Sequence, residues 1–147
     1  MKRNWILLLA ATLVFAIIGA YKVQATEDKG KCTNASLNGS YGLGATGTII
    51  GVGPFAAVGV LTFDGKGNLA GSLTEKINGN TFQNDTFRGN YIVDSFCRVS
   101  DVWHFTSGDT SQHDSVIVSN GNEFSIVNTS PGNVISGTAK RMFPEGS

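Results

Sequence analysis

The sequence predicts an all-β protein, an eight-stranded antiparallel up-and-down β-barrel that follows an N-terminal signal helix. Three observations predict it. Beyond residue 25, apolar residues alternate with polar ones, and long helical patterns are absent. Turn sequences punctuate the chain at short intervals: Asp64-Gly65, Asn78-Gly79, Asn120-Gly121 and Pro131-Gly132. No helical crossover separates the strands, so consecutive strands are antiparallel neighbours. Eight such strands suffice to close a barrel and remove its exposed edges. A β-sandwich is the alternative, but a Greek key needs a long return, which a run of tight hairpins does not supply.

The chain opens with a short basic stretch, Met1-Lys2-Arg3-Asn4, and then runs without charge from Trp5 to Ala20. Val23 and Ala25 occupy the −3 and −1 positions before Thr26. This three-part pattern reads as a secretory signal peptide over residues 1–25, removed by signal peptidase during export. The competing reading is a retained anchor, because the apolar run is at the lower limit for crossing a bilayer. Lipoprotein processing would need a cysteine directly after the apolar run, and Cys32 instead follows Lys29-Gly30-Lys31. The expected location is secreted or periplasmic.

Residues 26–36 form a lead-in, and residues 37–147 a single barrel domain. The first strand runs from about Asn38 towards Ile50, and Gly51 to Pro54 break it. Phe55–Phe63 is the second strand. Asp64-Gly65-Lys66-Gly67-Asn68 turns the chain, and Leu69–Ile77 returns it. Asn78-Gly79-Asn80 makes the next hairpin into Thr81–Asp94, a long strand with an irregularity near Asn84-Asp85. Cys97–Thr106, His113–Ser119, Glu123–Thr129 and Asn133–Phe143 complete the series. Glycines inside strands, such as Gly59, Gly71 and Gly89, permit the bends that closure requires. The echo between Leu37-Asn38-Gly39-Ser40-Tyr41 and Phe87-Arg88-Gly89-Asn90-Tyr91 reads as glycine making room for a ring on a neighbouring strand.

Without residues 1–25 the chain has 122 residues, with 8 basic and 11 acidic side chains, a formal net charge of −3. That length fits one domain with a modest core. A mildly acidic chain without a basic cluster argues against nucleic acid or an anionic membrane as partner. The two cysteines, Cys32 and Cys97, are expected to pair in an oxidising compartment. A metal site or a catalytic thiol are the rival roles. No CxxC or HxxxH spacing supports the metal, and a thiol nucleophile would need an unpaired cysteine beside a base.

Several stretches resemble known proteins. Cys32, Leu37-x-Gly39-x-Tyr41-Gly42, the run Pro54 to Asn68, and Ile135-Ser136-Gly137-Thr138-Ala139-Lys140-Arg141 are similar to a group of small exported bacterial proteins of unknown function. The resemblance covers most of the chain after residue 25 and implies an exported β domain; it brings no activity with it. A more distant likeness is to calycin barrels (lipocalins, avidins, fatty-acid-binding proteins), which begin with Gly-x-Trp where this chain has Gly39-Ser40-Tyr41. Allene oxide cyclase–like barrels share the strand count. These likenesses imply shape alone.

Candidate chemistry concentrates on one strand. Alternation places Cys97, Val99, Asp101, Trp103 and Phe105 on one face, and Arg98, Ser100, Val102, His104 and Thr106 on the other. If the first face points inward, Asp101 is a lumenal carboxylate, a general acid or an anchor for a ligand. Otherwise it sits at a rim or pairs with Arg88 or Arg98. His104 and His113 are the only histidines, and a hairpin about residues 107–112 brings them near one another, with Asp109 or Asp114 as further metal ligands. No Gly-x-Ser-x-Gly supports a hydrolase. The Asp64–Asn68 turn lacks the pattern of a phosphate or calcium loop. Four Asn-x-Ser/Thr sequences, at Asn34, Asn38, Asn84 and Asn128, matter only in a eukaryotic secretory route.

The reading these features support is a non-enzymatic exported barrel that binds a small apolar ligand, without a cofactor. Phe63, Tyr91, Asp101 and Trp103 are the expected ligand-binding residues. A barrel enzyme of isomerase or cyclase type, using Asp101 or Glu123, is the alternative. A cell-surface structural or interaction module is the third reading, and it predicts a contiguous exposed apolar patch.

Overall fold

The computed structural model describes residues 31–143, so the signal-peptide reading of residues 1–25 lies outside the described residues. Eight strands follow in order: β1 (Asn38–Ile49), β2 (Gly53–Asp64), β3 (Asn68–Ile77), β4 (Asn80–Val93), β5 (Arg98–Phe105), β6 (Thr110–Val118), β7 (Glu123–Asn128) and β8 (Asn133–Arg141). Each pairs antiparallel with the next, and β1 pairs with β8 from Tyr41↔Arg141 to Ile49↔Asn133. The sheet is therefore a closed up-and-down barrel and not a sandwich. Most strand ends fall within a few residues of the sequence expectation. β6 begins earlier, at Thr110, because residues 107–112 do not stay a loop; the turn tightens to residues 106–109.

Alternation sets the interior. Along β1, Tyr41 and Leu43 are buried while Gly44 and Thr46 face out; along β5, Val99, Asp101 and Trp103 are buried. The outer face carries mainly Ser, Thr, Asn, Lys and Arg between scattered valines, an apolar-in and polar-out pattern opposite to that of a transmembrane barrel. β4 carries a β-bulge: Leu73 pairs with Asp85 but Glu75 pairs with Phe82, so two residues oppose one. Asn84 takes up the extra residue at φ 55°. The irregularity expected at Asn84-Asp85 is thus a bulge within one continuous strand.

One end of the barrel is closed. Tyr41, Phe63, Tyr91 and Phe124 form an aromatic cluster there, with ring centroids 5.0–5.6 Å apart. The 3₁₀ turn Asn34–Ser36 lies at this end, and the Cys32–Cys97 disulfide ties the incoming chain to the start of β5. Tyr91 Oη lies 2.9 Å from the Leu37 carbonyl, and Asn34 Oδ1 accepts from the Val93 N–H. Tyr41 Oη donates to the Gly121 carbonyl and accepts from Arg141. The two tyrosines of the internal echo therefore do the same work, each hydroxyl bonding a backbone carbonyl at this end, from β1 and from β4. The echo glycines pair with aromatic residues, Gly39 with Phe63 and Gly89 with Trp103, but a Cβ would meet Arg141 at Gly39 and the Val102 carbonyl at Gly89, so neither glycine makes room for a ring. On the next strand, a Cβ at Gly71 would overlap the Phe87 ring, so glycine is required for Phe87 to stack on Trp103.

Candidate functional site

The other end of the barrel is open. Below its mouth lies a cavity of about 340 Å³. Strands β1, β2, β3, β5, β7 and β8 supply apolar wall residues, among them Leu43, Phe55, Leu73, Trp103, Phe105, Ile126 and Ile135. The strand alternation that fills the closed end with rings places smaller residues, Ala45, Ala57 and Gly137, around this half of the lumen. That change in side-chain volume leaves the space.

The polar side of the cavity is built from β6 and β7. His113 is buried and its Nδ1 lies 2.9 Å from Asp101 Oδ1 on β5. Its Nε2 lies 3.3 Å from Ser111 Oγ and 3.3 Å from Asn128 Nδ2. Asn128 Oδ1 accepts from the Ser130 N–H at 2.8 Å, which fixes the orientation of the amide. Its NH₂ therefore faces His113, and Nε2 must be the acceptor. The network assigns the proton of the neutral ring to Nδ1, donated to Asp101. Burial pushes the Asp101 carboxyl above the usual range, and the hydrogen bond from His113 opposes that rise. The Trp103 indole N–H is buried without a hydrogen bond of normal geometry, although its nearness also helps hold Asp101 down. This array presents a hydrogen-bond acceptor and base, His113 Nε2, beside a hydroxyl and an amide.

Three carboxylates complete the lining: Glu75 on β3, Asp85 beside the β4 bulge, and Asp109 in the β5–β6 turn. Burial, followed by the charges of Asp85 and Asp109, raises the pKa of Glu75.

The expected ligand-binding residues separate. Trp103 lines the cavity wall, and Asp101 lies behind His113, outside the lining. Phe63 and Tyr91 belong to the aromatic cluster at the closed end and do not line the cavity. Asp101 pairs with neither Arg88 nor Arg98; Arg98 pairs with Asp94. The histidines do not face one another, because the tighter turn puts His113 opposite Asp101 and His104 opposite Thr110. His104 points outward and lies 3.2 Å from Thr110 Oγ1. Among the described residues no three His, Cys, Asp or Glu side chains come together to hold a metal ion. Glu123 is also outside the cavity, with Lys140 Nζ 3.8 Å from its carboxylate. Sequence reasoning missed Glu75, Asp85, Ser111 and Asn128. Glu75 did carry a signal: it interrupts the apolar phase Leu69, Leu73, Ile77 of β3.

No protein family matches the chain, and no curated protein does. Solved structures do match, and designed barrels are among them. A redesigned β-barrel superposes with a TM-score of 0.57 at 17% identity, covering 75% of this chain and 95% of the other. The redesigned barrel mFAP1, bound to DFHBI, gives 0.56 at 17% identity, covering 74% and 97%. A de novo fluorescence-activating barrel gives 0.54 at 12% identity, covering 72% and 94%. At these identities the likeness shows the barrel fold. The disulfide fits an oxidising environment, and among the described residues no helix is long and apolar enough to cross a membrane.

Proposed function

We propose that this chain is an exported, disulfide-stapled barrel that binds a small, mainly apolar molecule at its open end. The observation that carries the reading is the cavity of about 340 Å³, walled by Trp103, Phe105, Leu73 and Ile126, with convergent polar groups on one side. Ligand pockets of roughly 300–1,000 Å³ with this mixture are the usual form of a small-molecule site. That a barrel of similar fold is bound to DFHBI supports small-molecule binding by this one. Trp103 is the expected wall contact, with Asp101 acting through His113; Phe63 and Tyr91 hold the closed end in this reading.

The test is amide and indole NMR of the purified protein during titration with a set of small aromatic fragments. Shifts are expected at the Trp103 indole and along β1 and β7 near Leu43 and Ile126. They should vanish in an Ala57→Phe variant that remains folded. A fragment set that moves none of these resonances overturns the proposal. Native mass spectrometry of the protein from its exported fraction supplies the cleavage state at Ala25 and any ligand carried along.

A second reading, a barrel enzyme of isomerase or cyclase type, draws support from the Asp101–His113 pair. His113 Nε2 is then the base, and Asp101 positions it. Conversion of a bound fragment that stops in His113→Gln, while binding persists, would establish it. The interaction-module reading has less support, since the exposed Ile92, Val116 and Val127 share their groove with Asp94, Arg98, Ser100 and Asp114.

A further inference from the structure

We propose that the ligand of this cavity is a small organic cation, with an aromatic or alicyclic body inside and an ammonium group at the lip among Glu75, Asp85 and Asp109. The inference rests on the cavity being a binding site and adds the charge of what binds there.

Three consecutive parts of the barrel wall, β3, β4 and the β5–β6 turn, each contribute one carboxylate to the lining. No lysine or arginine lines the cavity. Lys76, the neighbour of Glu75, alternates to the exposed outer face. Among the described residues, the ion pairs engage Asp94, Asp101 and Glu123, and leave these three carboxylates without a basic partner. The β4 bulge matters here. It inserts a residue between Phe82 and Asp85, and Asp85 falls on the inward face beyond it, in the neighbourhood of Glu75.

The rest of the lining agrees with a positive guest. The hydrogen-bond network turns His113 Nε2 towards the Asn128 amide as an acceptor, and no Lys or Arg stands on the polar floor. Phe55, Trp103 and Phe105 offer ring surfaces, and a cation near an aromatic face is attracted to it, more strongly when water is excluded. Glu75 is half-buried, and its carboxyl is pushed up by burial and by the neighbouring carboxylates, a repulsion that a cation relieves. An anionic guest, such as a fatty acid, meets the same repulsion at the mouth. Among the described residues the carboxylates do not come together as a metal-binding group, and the apolar space beside them suits an organic cation with a body to fill it.

The test is calorimetric titration of the purified protein with three probes of one shape: 2-naphthylmethylammonium, 2-naphthylmethanol and 2-naphthoate. At low salt the cation is expected to bind about tenfold or more tighter than the alcohol, and the carboxylate weakest. Added salt should narrow the gap, because lip charges are screened. In the triple variant Glu75→Gln, Asp85→Asn, Asp109→Asn, cation and alcohol should bind alike, with the alcohol unchanged. If the triple variant fails to fold, Asp109→Asn alone should remove part of the preference, since Asp109 is in an exposed turn. Equal binding of cation and alcohol by the wild type overturns the cation inference and leaves the cavity as an apolar site. Binding of none of the three, with no NMR shifts from the fragment set, overturns both.

Discussion

His113 and Asp101 face each other across the β5–β6 ladder, and the imidazole Nδ1 lies 2.9 Å from the carboxylate Oδ1. Both side chains are buried, and the ring of Trp103 packs on His113 with centroids 4.0 Å apart. Asp101 Oδ1 is the partner of His113 Nδ1, while His113 Nε2 faces Ser111 and Asn128. Removing one leaves a buried group without compensation. His113→Leu is therefore expected to destabilise the barrel by about 3–5 kcal/mol. The double variant His113→Leu, Asp101→Leu should recover most of that loss, because an apolar pair of similar volume needs no partner. Urea unfolding of the three proteins measures this, and a double variant no better than the single would show that the pair is not the cause.

Glu75 predicts a cost of keeping the lip acidic. Its carboxyl titrates above the usual range in the folded protein, first through burial and then through Asp85 and Asp109. Below the unfolded pKa the group is protonated in both states and costs nothing. As pH rises, the unfolded chain ionises first, and stability falls until the folded carboxyl has ionised too. Glu75→Gln should thus raise the melting temperature at pH 7 and leave it unchanged near pH 3. Melting curves at the two pH values check both halves.

Asp64 behaves in the opposite sense. Its Oδ1 accepts from the N–H groups of Lys66 and Asn68, and its Oδ2 from the Asn68 side chain. These bonds, led by those from Asn68, hold its pKa at about 2, below the ordinary aspartate value of 3.8. The stability they add is complete above the unfolded pKa and is lost as pH falls through that interval towards about 2. Asp64→Ala should be less stable than the wild type at pH 7, and the difference should shrink towards pH 2. Thermal melts at pH 7, 4 and 2.5 read it directly.

The disulfide makes a fourth prediction. Cys32 and Cys97 are 65 residues apart in sequence, and linking them restricts the unfolded chain by roughly 4 kcal/mol in the loop-entropy picture. Cys32→Ser with Cys97→Ser is expected to lower stability by about that amount, and to leave naphthyl-probe affinity within about twofold, because additivity holds for distant sites. Guanidinium unfolding and calorimetry on the same sample test the two claims together. A large drop in affinity would mean that the two ends of the barrel are coupled.

Much of this fold was legible before the structure. Asn-Gly and Asp-Gly turns set the hairpins, and the strict alternation of β5 put Asp101 and Trp103 on one face, which the structure turns inward. The candidate site was less legible, because it depends on register. Shortening one turn by a few residues exchanges the neighbour of His113 from His104 to Asp101. Aromatic residues such as Phe63 and Tyr91 have the same periodicity as Trp103, and only their height along the barrel separates plug from cavity wall. Asp85 was hidden for another reason: a bulge shifts the phase of β4, and no periodic rule spans it.

The lock at one end of the barrel has a kinetic consequence. A molecule that enters past Glu75, Asp85 and Asp109 meets the stacked Phe87 and Trp103 and, beyond them, the aromatic cluster and its disulfide-tied plug. Such a vessel is a cup and not a conduit, so arrival and departure share one doorway. Residence time is then governed at the rim, in the turns after β1, β3, β5 and β7, whose residues can change without disturbing the seal beneath.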